Sequence, residues 1–199
     1  MLSRSMHRLA RGPLGRITAA LIGAVVVSAV ATPAFAAEVR QGDNIVVGAN
    51  ETINDDLYAF GSTVTILGTV NGDVFTAGSN VTMSGTVNGD VFAAGGTTTI
   101  SGQVRQSVRA AGGTVMLNGS IGEDALVAGG TTGVGTSARV RRDLLAASGT
   151  ASISGPVTRN VLVSGGEVSL AAPIGGNLQA QAETSLASRW PTGASRKDG

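Results

Sequence analysis

The residues of this chain that could do chemistry are carboxylates, hydroxyls and arginines, because His7 is its only histidine and it has no cysteine. Beyond His7, neither a histidine-activated nucleophile nor a zinc site of histidine and cysteine can form. Asp55–Asp56 and Glu123–Asp124 are adjacent acid pairs, but neighbouring residues of a strand point to opposite faces. Acids from different segments could cleave a glycoside. Because such a site should interrupt a repeat, we expect neither catalysis nor a cofactor.

A 17-residue repeat must position these side chains. The phrase GTVNGDVF occupies residues 68–75 and returns at 85–92. Coils of this length begin at 51, 68, 85, 102 and 119, and after the two extra residues Thr136 and Ser137 they resume at 138, 155 and 172. Eight coils therefore fill residues 51–188, and each position in a coil is called a place, from 1 to 17.

Several places carry one type of residue throughout. Place 3 is β-branched in every coil, place 7 is Leu, Val or Ala, and place 16 is apolar in seven coils. Alternating apolar places indicate short strands with one buried face, and Gly at places 1, 11 and 12 disfavours helix. A single coil cannot bury its inward side chains, whereas stacked coils share a continuous core. The sequence therefore predicts an all-β fold, a parallel β-helix (solenoid) of about eight 17-residue coils.

The motif G-x-V-x-G-D/N-V, recurring at this period over residues 51–188, resembles the bactofilin family. It is clearest in GTVNGDVF (68–75 and 85–92), GSIGEDAL (119–126) and APIGGNLQ (172–179). The resemblance implies a right-handed β-helix that polymerises end to end without a nucleotide into cytoskeletal filaments of the bacterial envelope. Bactofilins are usually cytoplasmic, and exported relatives often carry membrane helices after the repeats, so this chain departs from both patterns.

Residues 1–36 have the features of a secretory signal peptide. Four arginines precede the apolar run 17–31, and Ala34-Phe35-Ala36 fits the small-x-small cleavage rule. The run is shorter than the roughly 20 residues of a membrane helix, although an uncleaved signal anchor is the alternative. We expect an exported protein of the periplasm, envelope or exterior, held at a membrane only if this segment is retained. Residues 37–50 are predicted to be a lead-in or partial coil, and 189–199 a flexible tail.

The ends of the stack are predicted to be the polymer interface, since a solenoid end exposes backbone groups and an apolar layer. The candidate residues are Ile53, Leu57, Val64 and Ile66 in the first regular coil and Ile174 and Leu178 in the last. Residues 37–101 contain seven acids and one base, and 102–199 contain nine bases and six acids. This asymmetry favours head-to-tail contact, whereas the family resemblance implies contact between like ends.

Three other surfaces are candidates for binding. Arg105, Arg141, Arg142 and Arg159 lie at places 4 or 5 and form a possible edge for an anionic envelope polymer. Place 6 is mostly Asp or Asn, which suits a turn column, with a calcium ladder as the alternative. Threonines at places 13 and 15 could form a flat hydroxyl face.

These patterns predict a non-enzymatic, self-polymerising scaffold protein of the cell envelope, whose partner is itself and, at most, an envelope polymer. Nucleic acid is not an expected partner, because export and a small arginine cluster argue against it. The alternative function is a monomeric solenoid that binds an envelope polysaccharide or another anionic polymer.

Overall fold

The computed structural model describes residues 37–188, and the side chains of residues 37–182. The predicted signal peptide and tail lie outside the described residues. Nine long strands follow one another along the chain: β1 (Glu38–Val47), β3 (Leu57–Ile66), β5 (Val74–Met83), β7 (Val91–Ile100), β9 (Val108–Leu117), β11 (Ala125–Val134), β13 (Leu144–Ile153), β14 (Val161–Leu170) and β15 (Leu178–Ser188). Six two-residue strands lie between them: β2 (Thr52–Ile53), β4 (Thr69–Val70), β6 (Thr86–Val87), β8 (Gln103–Val104), β10 (Ser120–Ile121) and β12 (Arg139–Val140).

The strands stack as the repeat predicts. The long strands form one parallel sheet in the order β1-β3-β5-β7-β9-β11-β13-β14-β15, and the short strands form a second sheet from β2 to β12. Single bridges join Val140 to Val157 and Val157 to Ile174, so the second sheet is continued beyond β12. Equivalent places pair directly, as in Val74 with Val91 and Val91 with Val108. The predicted all-β parallel solenoid is confirmed.

Strand β1 adds a ninth layer in a segment for which the sequence predicts only a partial coil. All ten residues of β1 lie along β3, with Glu38 opposite Leu57 and Val47 opposite Ile66. The offset from β1 to β3 is longer than the repeat by two positions, as is the offset from β11 to β13. A hydrogen-bonded turn explains both longer offsets. Glu51 N–H donates to Gly48 O at 2.9 Å, and Ala138 N–H donates to Gly135 O at 3.0 Å. Each bond closes a turn with two extra residues.

Each long strand bends in the middle. In β3 the buried side chains are Leu57 and Ala59, and then Val64 and Ile66. The interval of five from Ala59 to Val64 changes the alternation from odd to even positions, which a straight strand cannot do. Accordingly, the ladder between β5 and β7 skips the residues of place 12. The bend divides the outer surface of each long strand into two walls, places 8 and 10 on one side and places 13 and 15 on the other.

Glycine at place 1 allows the coils to approach at a corner. A Cβ on Gly102 would lie 1.9 Å from Gly85 O, and one on Gly119 would lie 1.9 Å from Gly102 O. Three coils have another residue at place 1. Two of them, which begin at Glu51 and Ala138, directly follow a two-residue turn insertion. Ala172 also occupies place 1, in the last coil, before Pro173. The insertion therefore coincides with room for a side chain.

Candidate functional site

The predicted interface residues at the N-terminal end are interior residues. Leu57, Val64 and Ile66 are 0% exposed and Ile53 is 3% exposed, because β1 covers this coil. The prediction that these four side chains form an exposed end layer is therefore wrong. The cause is that residues 38–47 complete a layer although their sequence departs from the repeat.

The first layer that the structure describes, β1, is partly closed by charge. Glu38 and Arg40 occupy places 7 and 9, where other coils carry buried apolar residues. Arg40 pairs with both Glu38 and Glu51, and its Nη1 donates to Val46 O at 2.9 Å. The hydrogen bond from Arg40, followed by that from Gly48 N–H, lowers the pKa of Glu51. Inward-pointing charges of this kind protect a sheet edge. Residues 44–47 carry no charged side chain, and the contact of Arg40 with this segment is the one to Val46 O.

The inward side chains that the structure describes in the last layer are apolar. Ile174 and Leu178 are partly buried against the core, together with Ala180 and Ala182. The outward side chains Gln179 and Gln181 are exposed. Ile174 and Leu178 thus lie in the outermost described layer, where the sequence places them.

Half of the predicted arginine edge is neutralised. Arg142 lies 3.5 Å from Glu123 and 3.6 Å from Asp124, and Arg159 lies 3.6 Å from Asp143. Arg105 and Arg141 are exposed at place 4, with Gly122 between them in the stack. The four residues therefore share one edge, but acids of the preceding coil balance two of them.

The acidic column at place 6 bonds one layer to the next. Asp56 Oδ1 accepts from Asp73 N–H at 2.8 Å, and Asp73 Oδ1 accepts from Asp90 N–H at 2.8 Å. Four further bonds repeat this pattern, ending with Asn177 N–H and Asn160 Oδ1 at 3.0 Å. Within the described part of the chain, no group of three or more acidic or histidine side chains could hold a metal ion. These contacts support the structural interpretation of the column over a calcium ladder.

Low pH should destabilise the fold through Asp143, a residue of this column. The backbone N–H of Asn160, helped by the guanidinium of Arg159, lowers the pKa of Asp143 below its ordinary value of 3.8. A depressed folded pKa stabilises the protein above the ordinary value, and this stability is lost as pH falls through the folded pKa. An Asn side chain at this place can accept the backbone N–H of the next layer, as Asn160 does. Asp143→Asn therefore keeps the hydrogen bond and removes the group that titrates. We therefore expect a smaller drop in Tm between pH about 7 and about 2.5 in Asp143→Asn than in the wild type.

Thermal unfolding followed by circular dichroism measures this difference. The control is Asp43→Asn, which removes an exposed acid of β1 and should leave the acid-induced drop in Tm as large as in the wild type. An equal drop in the wild type and in Asp143→Asn would contradict the assignment.

The two outer walls of the long strands differ in chemistry. Places 13 and 15 carry mainly Thr, Ser and Asn, from Thr63 to Ser169. Places 8 and 10 are apolar over seven layers apart from Arg109 and Ser164, and we call their residues from Tyr58 to Ser164 the apolar wall. Place 8 holds Tyr58, Phe75, Phe92, Arg109, Leu126, Leu145 and Leu162, and place 10 holds Phe60, Ala77, Ala94, Ala111, Ala128, Ala147 and Ser164.

The apolar wall has a raised side and a low side. Leu126, Leu145 and Leu162 are 48%, 38% and 42% exposed at place 8. The exposed alanines of place 10 form a trough beside this ridge, and a depression of about 450 Å³ lies between Phe60 and Ala128. A contiguous exposed apolar surface is typical of an interaction site, so this wall is the candidate functional site.

The aromatic rings of the ridge are stacked on one another. Tyr58 and Phe75 have centroids 4.7 Å apart, as do Phe75 and Phe92, with interplanar angles of 8° and 4°. Arg109 lies 5.0 Å from the centroid of Phe92 and 3.1 Å from a carboxylate oxygen of Asp90. Both faces of Phe75 and of Phe92 are therefore covered, and these rings present their edges to solvent.

Sequence reasoning missed this wall because it followed the inward places alone. The signal is present in VFTA (74–77), VFAA (91–94), ALVA (125–128) and LLAA (144–147). In these segments the outward places are as apolar as the inward ones, which departs from the alternation of a half-buried strand.

Fold and surface together define a parallel β-solenoid with one apolar outer wall. Comparisons with protein-family models, curated proteins and solved structures find no match to this chain. Among the residues that the structure describes, there is no helix of the length and hydropathy that crossing a membrane requires.

Proposed function

We propose that this chain is a non-enzymatic structural protein, a bactofilin-like scaffold that assembles end to end outside the cytoplasm. The observation that carries the proposal is the length of the sheet's end strands. β1 has ten residues and β15 has eleven, and within the described residues each is paired on one side only. A long strand with a free edge pairs readily with another chain.

The uncharged half of β1 is where such pairing is expected. Val47 O accepts from Leu67 N–H at 2.9 Å, so the backbone groups of Val47 face β3. Alternate residues of a parallel strand direct their backbone groups to opposite neighbours. The N–H of Val46 therefore faces the free edge, and its side chain is 47% exposed. The carbonyl of Val46 faces the same edge and accepts from Arg40, so an added strand displaces this contact while it uses the free N–H.

Replacing Val46 with proline tests this edge. Proline removes the outward N–H, which an edge strand tolerates, whereas an added strand would need that donor. Wild-type protein purified from cells that express the full chain should form filaments in negative-stain electron microscopy. We expect Val46→Pro to abolish them while keeping a β-type circular dichroism spectrum.

Val46→Ala is the matched control, because it removes the exposed side chain and keeps the N–H; we expect its filaments to persist. Wild-type protein that stays as short single rods at micromolar concentration would overturn end-to-end assembly. Filaments of unchanged length in Val46→Pro would show that β1 is not a joining edge.

A further inference from the structure

The apolar wall is shaped to pack against an equal wall. We propose that two copies of this chain associate side by side through it, with their solenoid axes parallel. This association concerns the lateral surface, so it does not depend on contact between solenoid ends.

The position of the polar residues fits a protein interface. At one end Gln41 of β1 borders the wall at place 10, while place 8 continues with the exposed Val39; Gln179 and Gln181 of β15 border the other end. Between these limits, Arg109 is the one charged residue at places 8 and 10 of the described strands. Its charge is balanced by Asp90 at 3.1 Å. An apolar centre with a polar rim is typical of protein–protein interfaces.

The stacked phenylalanines of place 8 are unsuited to stack on a sugar or a nucleobase. Recognition by stacking requires an open ring face. Phe75 is covered on both faces by Tyr58 and Phe92, and Phe92 is covered by Phe75 and Arg109. Ring edges and alanine methyl groups can instead pack against the aliphatic and aromatic side chains of another sheet.

Charge argues against an anionic lipid surface. The aromatic part of the wall, from Tyr58 to Phe92, belongs to residues 37–101, which contain seven acids and one base. An anionic membrane would repel this half of the solenoid. In a two-fold pair the place 6 acids of the two copies lie at opposite edges of the contact, so this repulsion is smaller between two copies than against an anionic membrane.

The symmetry of the wall selects one arrangement. A two-fold axis parallel to the solenoid axis places the ridge of each copy over the trough of the other, layer by layer. A two-fold axis along the strand direction would instead set ridge against ridge and bring Arg109, in the middle layer, near the Arg109 of the second copy. In the parallel arrangement each Arg109 meets the alanine trough instead, and Tyr58 meets Phe60 of the second copy. The contact is isologous and closed, so it stops at two.

The area is sufficient for a modest association. The wall has seven layers, each about 4.8 Å deep, and four residues across it span about 13 Å. Two such faces bury on the order of 900 Å², close to the lower limit of specific interfaces, so we expect a micromolar Kd.

Sedimentation velocity of the Val46→Pro chain tests the pairing without interference from end contacts. We expect a two-copy species whose mass does not grow further with concentration. Leu126→Glu with Leu145→Glu should raise Kd by about tenfold or more, because Arg109, the stack neighbour of Leu126, can balance one carboxylate whereas the buried carboxylate at position 145 lacks a partner. Folding should survive, since both side chains are exposed and Arg109 already occupies this column.

Thr131→Glu with Thr150→Glu is the matched control. These residues are exposed on the same two strands, β11 and β13, but on the polar wall. The protein that carries both threonine substitutions should dimerise as strongly as the Val46→Pro chain from which it is made. The proposal is overturned if the parent stays monomeric at about 100 µM, well above the expected Kd, or if the two double variants behave alike.

Two further measurements fix the arrangement and the occupant. The chain has no cysteine, so a mixture of Leu126→Cys and Ala128→Cys proteins should form disulfide-linked heterodimers, while Leu126→Cys alone should not cross-link. The reverse result would overturn the ridge-over-trough geometry.

Co-sedimentation with vesicles of phosphatidylethanolamine and phosphatidylglycerol tests lipid as the occupant. If the monomeric protein pellets with these vesicles and the leucine variant does not, the wall binds lipid and the proposal is overturned.

Discussion

Gly102→Ala is expected to destabilise the protein by about 3 kcal/mol or more, because overpacking against backbone cannot be relieved by a rotamer change. The added Cβ would lie 1.9 Å from Gly85 O and 2.7 Å from the carbonyl carbon of Ser84. Relief requires the coils to separate at this corner. That separation would strain the bond from Gly102 N–H to Met83 O, which is 3.1 Å long.

The measurement is thermal unfolding at neutral pH, with a loss of about 3 kcal/mol corresponding to a drop in Tm on the order of 10 °C. Gly48→Ala is the matched control, since its Cβ would come no closer than 3.9 Å to Glu51 Oε2. We expect the control to change stability by less than about 1 kcal/mol. Equal effects of the two substitutions would show that place 1 does not need glycine.

Deleting Thr136 and Ser137 is expected to cost as much as Gly102→Ala, although both residues lie in a turn. The deletion restores the regular coil length and closes the corner at place 1, where the Cβ of Ala138 would meet a carbonyl as one on Gly119 would. It also removes the 2.9 Å bond from Ser137 Oγ to Asn118 O, worth about 1 kcal/mol.

A second substitution makes this prediction specific. Adding Ala138→Gly to the deletion should recover most of the lost stability, leaving a deficit of about 1 kcal/mol. Ala138→Gly in the full-length chain should instead destabilise modestly, because Ala138 is buried there and glycine loses its packing. Denaturant unfolding of the four proteins gives the coupling free energy between the two changes. A coupling near zero would contradict the link between turn insertion and place 1.

The strand register was predictable because every coil of a solenoid has the same spacing of buried residues. Val70, Val87 and Val104 recur one coil apart, at place 3, and are all 0% exposed. The insertion at residues 136–137 was also visible as a break in the count, since the columns resume unchanged after it. Stacking equivalent places is the arrangement that buries every inward side chain, so the period alone specified the strand neighbours.

The N-terminal limit was not predictable from the same rule. β1 places Glu38 and Arg40 at inward places, so its sequence does not match the columns that define a coil. These side chains are accommodated because Glu51, which follows the extra turn, completes their ion pairs. Only its backbone pairing with β3 shows that this segment is a layer. Because that layer covers the next coil, Ile53, Leu57, Val64 and Ile66 belong to the core and not to an exposed end.

The sequence by itself determined the fold class, the spacing of the layers and the inward columns, because these depend on a periodicity that neighbouring coils share. The tertiary structure decided the location of the ends and the chemistry of the outer surfaces. The bend at places 11 and 12 separates Phe75 and Leu126 from the threonine wall of the same strands, and stacking then gathers them into one surface. Whether an outward side chain meets solvent or a neighbour depends on such packing, which a linear period does not contain.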